Sequence, residues 1–194
     1  MTQAIVNNAA AISFDRDLTV AQTSSQSRRL KWFRKGPIQA IAEVQMNVMR
    51  RETYQPILSV LTRDILGPYT LTFPEEVVGS GITASVSPDV DNQMGNSVTV
   101  TGPATTTPIL AGSIIQFPNQ SQTYVATADL TLDGIGNGTL MLDQPLFISP
   151  NMGEDIRVGT DVMFSMNLIN RPRASFGPTG LVNHDGPFLF AEAL

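Results

Sequence analysis

Ile38, Ala40, Ala42, Val44, Met46 and Val48 fall on every second position, with Gln39, Glu43, Gln45 and Asn47 between them. Successive side chains of a strand point to opposite faces, so this period of two predicts a long strand with one buried face. A helical segment follows at once. Thr53 is expected as its N-cap, Pro56 falls in its first turn, and Tyr54, Leu58, Leu61 and Ile65 recur at helical spacing. Gly67-Pro68 ends it, and Tyr69, Leu71 and Phe73 alternate with threonines as a further strand. Upstream, Leu30–Phe33 reads as a strand with Leu30 and Trp32 on one face. Gly36-Pro37 reads as the turn that folds it back on Ile38–Val48 as a hairpin.

The remainder is polar and rich in turn residues. Charged residues make up only 15% of the 194-residue chain, below the roughly 25% usual for soluble domains. Thr, Ser, Asn, Gln, Gly and Pro take their place, a mixture suited to β-proteins and to assemblies whose surfaces become interfaces. Candidate strands are Ser97–Thr101, Ile114–Phe117, Tyr124–Ala128 and Thr139–Leu142, with Asp133–Gly138 as the turn between the last two. Val162–Leu168 and Phe188–Leu194 resume apolar alternation, with Phe188, Phe190 and Glu192 on one side, and the last strand is expected to return to the first sheet. Residues 171–187 read as a long loop. A short strand is expected within Val6–Asp17, and Ala21–Ser27 reads as a flexible arm or loop.

The expected architecture is therefore mainly β, a main sheet with one short helix, interrupted by a small β-unit. An N-terminal arm covers 1–27. The main sheet is drawn from 28–78 and 159–194, with the helix at about 53–66. Residues 79–158 form an inserted small barrel or sandwich.

The chain has no cysteine, which removes disulfides, zinc-thiolate sites and cysteine nucleophiles from consideration. Met1–Asn8 lacks the basic start and apolar core of a signal peptide. No stretch approaches the ~18 apolar residues of a membrane-spanning helix. The expectation is cytoplasmic synthesis without membrane contact. Catalytic patterns are weak. His184, the one histidine, stands beside Asp185 in Gly/Pro-rich sequence without a Gly-x-Ser-x-Gly elbow, and reads as an exposed loop residue. The adjacent pairs Glu75-Glu76 and Glu154-Asp155 would point to opposite faces of a strand, which argues against joint acid–base work. The Asp129…Asp133 segment departs from the EF-hand pattern and reads better as a glycine-rich turn than as a calcium loop. No phosphate loop is present. No enzyme activity, cofactor or metal is expected.

Charge is unevenly distributed. Residues 28–64 carry eight basic groups and three acids, a net +5, and residues 75–161 carry ten acids and one arginine, a net −9. Arg28, Arg29, Lys31, Trp32, Arg34, Lys35, Arg50 and Arg51 are the candidate site residues. Three readings apply to the basic cluster: an interface that meets the acidic region of another copy, a solvated strand edge that discourages aggregation, or nucleic-acid binding by phosphate contact and stacking.

Four segments carry a family resemblance: RRLKWFRKG (28–36), MRRETYQPILSVLTRDILGPYTLTFPE (49–75), LAGSIIQFPNQSQTYVATADLTLDGIGNGTLMLDQPLF (110–147) and the Phe-x-Phe-x-Glu-Ala ending at 188–193. In this order they resemble bacteriophage tail structural proteins of the distal tail and tail-tip (baseplate) ring type, related in fold to tail-tube subunits. Ser113 stands where that family commonly has Asp. The resemblance implies a tail-tube-like β-sandwich with a flanking helix, and closed rings, usually hexameric, coaxial with the tail tube. It implies that the tube protein and the baseplate or tail-tip hub proteins are partners, that DNA is met only in transit through the lumen, and that the protein belongs to the virion tail after assembly in the host cytoplasm. A carbohydrate- or receptor-binding β-sandwich module is the alternative reading.

Overall fold

The structure is a computed structural model. It describes residues 3–24, 30–63, 68–82 and 84–193, and over 17–24, 30–37 and 60–63 it describes the backbone path alone. It is mainly β, with four antiparallel sheets and one helix longer than two turns.

A short helix, α1 (Gln3–Asn7), leads into β1 (Ala9–Ser24), which pairs with β2 (Leu30–Met46). Residues 9–24 thus form a sixteen-residue strand, longer than the strand expected within Val6–Asp17 and reaching into the segment read as an arm. Gly36-Pro37 makes no hairpin turn. It lies inside β2, where the register slips from Leu18↔Ile38 to Val20↔Arg34. One residue of β1 therefore opposes three of β2, and this bulge accommodates a proline that has no N–H to give the ladder.

β2 then runs against β14 (Phe188–Glu192), which pairs with β11 (Phe164–Asn170), which pairs with β4 (Tyr69–Leu71). These complete the five-stranded sheet β1-β2-β14-β11-β4. The chain end returns to the first sheet as its pattern predicts. The alternation in β2 holds through Met46: Ala40, Ala42, Val44 and Met46 are buried and Glu43 is exposed. Val48 departs from it, since the strand ends at Met46 and Val48 faces solvent.

β3 (Met49–Arg50) passes directly into α2 (Arg51–Arg63), so Thr53 lies in the first turn and is no N-cap. Tyr54 and Ile57 are the buried anchors of this helix, with Leu58 packed partly beside them. Ile57 was not on the expected stripe. The side chain of Leu61, and Ile65 and Gly67, lie outside the described residues. Where a loop is expected over 171–187, β12 (Ala174–Phe176) and β13 (Leu181–His184) form a hairpin that pairs onto β3. The core between this sheet, α2 and the five-stranded sheet is aromatic. Phe14, Phe73 and Phe164 meet edge to face, with centroids 5.1–5.5 Å apart.

After α3 (Glu75–Val78), a second core gathers Val86, Val98, Ile115, Phe117, Tyr124, Leu140 and Val158 among others. Two small sheets enclose it. One is β5 (Ser87–Pro88), β6 (Ser97–Thr101) and β9 (Asn137–Met141). The other is β10 (Arg157–Val158), β7 (Ile114–Gln116) and β8 (Thr123–Val125). The turn at Asp133–Gly138 does not join β8 to β9 as a hairpin. β9 pairs with β6, and the region after β8 meets it through the isolated bridge Ala126↔Leu142 and the turn bonds between Asp133 and Asn137. Asp133 organises the turn by accepting the N–H groups of Ile135 and Asn137 at 2.9 Å, and these donors hold its carboxyl below the usual range. Gly136 is required there. Its φ is 88°, and a Cβ would sit 2.1 Å from the Gly102 carbonyl. The two ends of 79–158 lie side by side, since a Cβ on Gly159 would reach 2.1 Å from the Ser80 carbonyl.

Phe164 is fully buried within the aromatic triangle. Phe164→Ala is expected to lower stability by about 3–5 kcal/mol, measured as a shifted urea midpoint with an unchanged m-value.

Candidate subunit interface

The candidate residues separate into two places. Arg28 and Arg29 lie outside the described residues. Lys31, Trp32, Arg34 and Lys35 belong to the distal half of β2, where the backbone alone is described. Arg50 and Arg51 stand at the β3–α2 junction, both exposed. From Lys35 to Met46 the strand extends about 35 Å at ~3.3 Å per residue. Lys31, Arg34 and Lys35 of the basic run thus lie along a ribbon, and Arg50 and Arg51 form a separate pair.

The arginine pair is built into a groove. The Arg51 N–H donates to the Gly180 carbonyl at 3.0 Å, which fixes the start of α2 against the β12–β13 hairpin. Arg50, Arg51, Glu52, Gln55, Thr179, Gly180 and Leu181 line a depression of about 530 Å³. The Arg51 guanidinium carbon lies 6.0 Å from the centre of the exposed Phe176 ring, at the outer limit of a cation–π contact. A second depression of about 480 Å³, between Gly79–Gly81 and Thr107–Ser113, has no ionisable side chain in its lining.

The place of His184 differs from the exposed loop expected for it. It is 5% exposed, on β13, with ring centroids 5.1 Å from Tyr54 and 5.3 Å from Phe188. Neither ring nitrogen has a hydrogen-bond partner among the described residues, so no Ser–His–Asp relay is formed there. Burial, aided by the nearby Arg171 charge and opposed by Asp185, pushes its pKa below the ordinary 6.5.

Sequence reasoning missed a polar junction between the five-stranded sheet and β8. Glu192 is 1% exposed. One carboxylate oxygen accepts the Ala40 N–H at 3.0 Å and the other accepts the Thr123 N–H at 2.7 Å. Around it, Arg16 pairs with Asp143 at 2.6 Å and donates to the Thr123 carbonyl at 2.9 Å. Asp143 accepts the Val125 N–H, and Gln144 accepts the Ile38 N–H while donating to the Thr123 carbonyl. Burial raises the Glu192 pKa above the usual carboxylate range, against the lowering effect of its two backbone donors and Arg16. The one signal in the sequence was a glutamate in register with Phe188 and Phe190 on an apolar face.

Among the described residues no group of three His, Cys, Asp or Glu side chains is placed to hold a metal ion, and no helix is long and apolar enough to cross a membrane. Asp129 accepts the Ala111 N–H at 2.7 Å, so this carboxylate, like that of Asp133, is used in shaping a turn. Comparisons of the sequence with protein-family models and with curated proteins found no match.

Two outcomes follow from the buried ionisable groups. Glu192→Gln turns an amide donor toward one of two backbone donors and should cost about 1–3 kcal/mol in chemical denaturation at neutral pH. Because the Glu192 pKa is raised in the folded state, the wild-type chain should lose stability as pH climbs through the window above the ordinary carboxylate range, and the variant should lack that slope. His184 has the opposite sense. Its folded pKa is depressed, so its contribution is complete above 6.5 and is lost as pH falls below that value. His184→Leu should flatten this acid limb of a melting-temperature profile without destabilising the protein at pH 8.

Proposed function

We propose that this chain is a structural subunit of a phage tail. It forms a closed ring at the distal end of the tail tube, joins the tube to the baseplate or tip, and leaves a channel for DNA. In this reading the five-stranded sheet and α2 belong to a tail-tube-like sandwich, and 79–158 is an inserted β-unit. The adjacency of Ser80 and Gly159, with a separate apolar core between them in sequence, supports the insertion.

One observation carries the assembly. β14 pairs with β2 only from Ile41 to Val44. Beyond Leu18↔Ile38, the pairs Val20↔Arg34 to Ser24↔Leu30 continue with no third strand among the described residues. A two-stranded ribbon is marginally stable by itself in water. A subunit that lays this ribbon on its neighbour gives the two-stranded segment a further partner, and the same neighbour repeated around an axis gives a ring. Lys31, Arg34 and Lys35 then serve contacts between subunits. A DNA channel is better lined by neutral or acidic groups, because basic ones would hold the phosphates. The exposed Phe147 lies in the loop after β9 and the exposed Phe176 ends β12, in a different sheet, which favours assembly over a sugar-binding face of clustered rings.

Negative-stain images of the purified protein should show hollow rings about 100 Å across, from six compact domains each ~40 Å wide. Deleting residues 20–34 should abolish the rings while leaving a folded monomer whose urea midpoint is close to that of the wild type. A wild-type chain that remains monomeric at every concentration and is missing from purified virions would overturn the reading.

A further inference from the structure

Two exposed patches of opposite charge stand on different cores. The first is the groove beside α2, where Arg50, Arg51, Glu52 and Leu181 line the depression and are all exposed, with the exposed Phe176 ring next to the Arg51 guanidinium. The second is formed by two loops, 88–95 and 144–153. Three hydrogen bonds tie them together: Leu146 N–H to the Gly95 carbonyl at 2.9 Å, Met152 N–H to the Asp91 carboxylate at 3.0 Å, and Gly153 N–H to the Pro88 carbonyl at 3.0 Å. These bonds leave Val90, Met94, Phe147 and Met152 facing solvent, with Met94, Phe147 and Met152 each at least 60% exposed. Asp89, Asp91 and Asp155 are exposed on the same two loops or at their border.

Asp91 accepts the Met152 N–H, Asp155 accepts the Ser85 hydroxyl, and Glu52 shares the groove with the arginines, but neither patch holds an ion pair among the described residues. The only ion pair among the described residues is Arg16–Asp143, so the groove arginines and the loop acids have no charge partner there. Apolar side chains gathered within a charged border are the usual form of a protein contact surface.

We propose that the loop patch of one copy seats in the Arg50/Arg51 groove of the next, a contact that rests on the ring reading above and supplies its charged face. Guanidinium forks bind carboxylates in two-point fashion, and Arg50 and Arg51 meet Asp89 and Asp155. Met94 and Met152 are flexible enough to settle on Phe176 and Leu181. The signs also fix polarity. Groove against groove, or loop against loop, would set like charges together, which disfavours a two-fold dimer. The contact is heterologous and propagates head to tail, which is what ring closure requires.

The test uses two full-length charge reversals, Arg50→Glu with Arg51→Glu, and Asp89→Arg with Asp155→Arg. Folding of each is checked by circular dichroism and thermal melting, and assembly is followed by sedimentation velocity. Each variant alone faces like charges at its own contact and should self-associate about 100-fold or more weakly than the wild type. An equal mixture restores opposite charges at every contact of an alternating ring and should recover wild-type assemblies. Variants that assemble like the wild type, or a mixture that fails to assemble when both variants are folded, would overturn this contact and leave the ring reading standing. A wild-type chain that never associates would overturn both. A monomeric wild type that binds a polyglutamate peptide through Arg50 and Arg51 would assign the groove to an unrelated acidic segment, and would also overturn the inference.

Discussion

The Glu192 carboxylate holds together two parts of the protein that no β-ladder joins. β8 is the outer strand of its small sheet, and β2 runs out of partners on the β14 side past Ile41. Each therefore has a backbone N–H inside the protein with no strand opposite. An unpaired buried donor costs about 1–3 kcal/mol, and one carboxylate satisfies both, at Ala40 and Thr123. Gln116 does comparable work on another side of the same unit. It is buried, its amide donates to the Met163 carbonyl at 2.8 Å, and its carbonyl accepts the Met163 N–H at 3.1 Å. Where two sheets meet and hydrogen bonding cannot pass from strand to strand, polar side chains continue it. Such a junction is directional. It fixes one docking geometry more strictly than the apolar contact of Ile114 and Val125 beside it, because carboxylate and amide bonds weaken steeply with misalignment.

That junction gives the rest of the molecule its division of labour. The five-stranded sheet and the β5–β10 region have separate apolar cores, and the polar seam between them involves β1, β2, β8 and β14. The ribbon beyond Ile38 grows from the same strands. A load on the ribbon would therefore reach the seam through β1 and β2, since Arg16 on β1 and Ala40 on β2 both contact Thr123 or its partners. A subunit held by its neighbour through such a ribbon would have its inserted unit oriented by the same contact.

How much of this was legible in the sequence depended on how local the cause was. Ala40 to Met46 was readable because burial on one face of a strand imposes a period of two on consecutive residues. Phe188, Phe190 and Glu192 were readable for the same reason. Gly36-Pro37 carries the local signature of a turn, yet it is a bulge, because pairing with β1 extends on both sides of it. Ala21–Ser24 has a loop-like composition, and it becomes strand through a partner strand whose identity no short window contains. The β12–β13 hairpin was hidden by its Arg, Pro and Gly content. Its reason to exist is the pairing with β3, about 130 residues earlier in the chain. The site residues divided in the same manner. The charge asymmetry is a property of composition and was visible, as was the separation of Arg50 and Arg51 from the 28–35 run in sequence; how far they stand from the ribbon's lysines and arginines in space depends on β2 being one long strand.

His184 shows how far burial can go against residue type. An imidazole with neither nitrogen paired among the described residues is an expensive way to fill a gap between Tyr54 and Phe188, and burial there favours its neutral form. The aromatic series Phe176–Tyr54–His184–Phe188 nevertheless connects the exposed end of β12 to the centre of the five-stranded sheet through edge-to-face contacts of 5.1–6.2 Å. Aromatic pairs in this geometry contribute about 0.5–1.5 kcal/mol each beyond burial. Phe176 carries this packing to the surface, where it stands next to the Arg51 guanidinium at the border of the groove. A side chain held by packed rings has less freedom to lose on contact, which keeps the ordering cost of a contact at that place low.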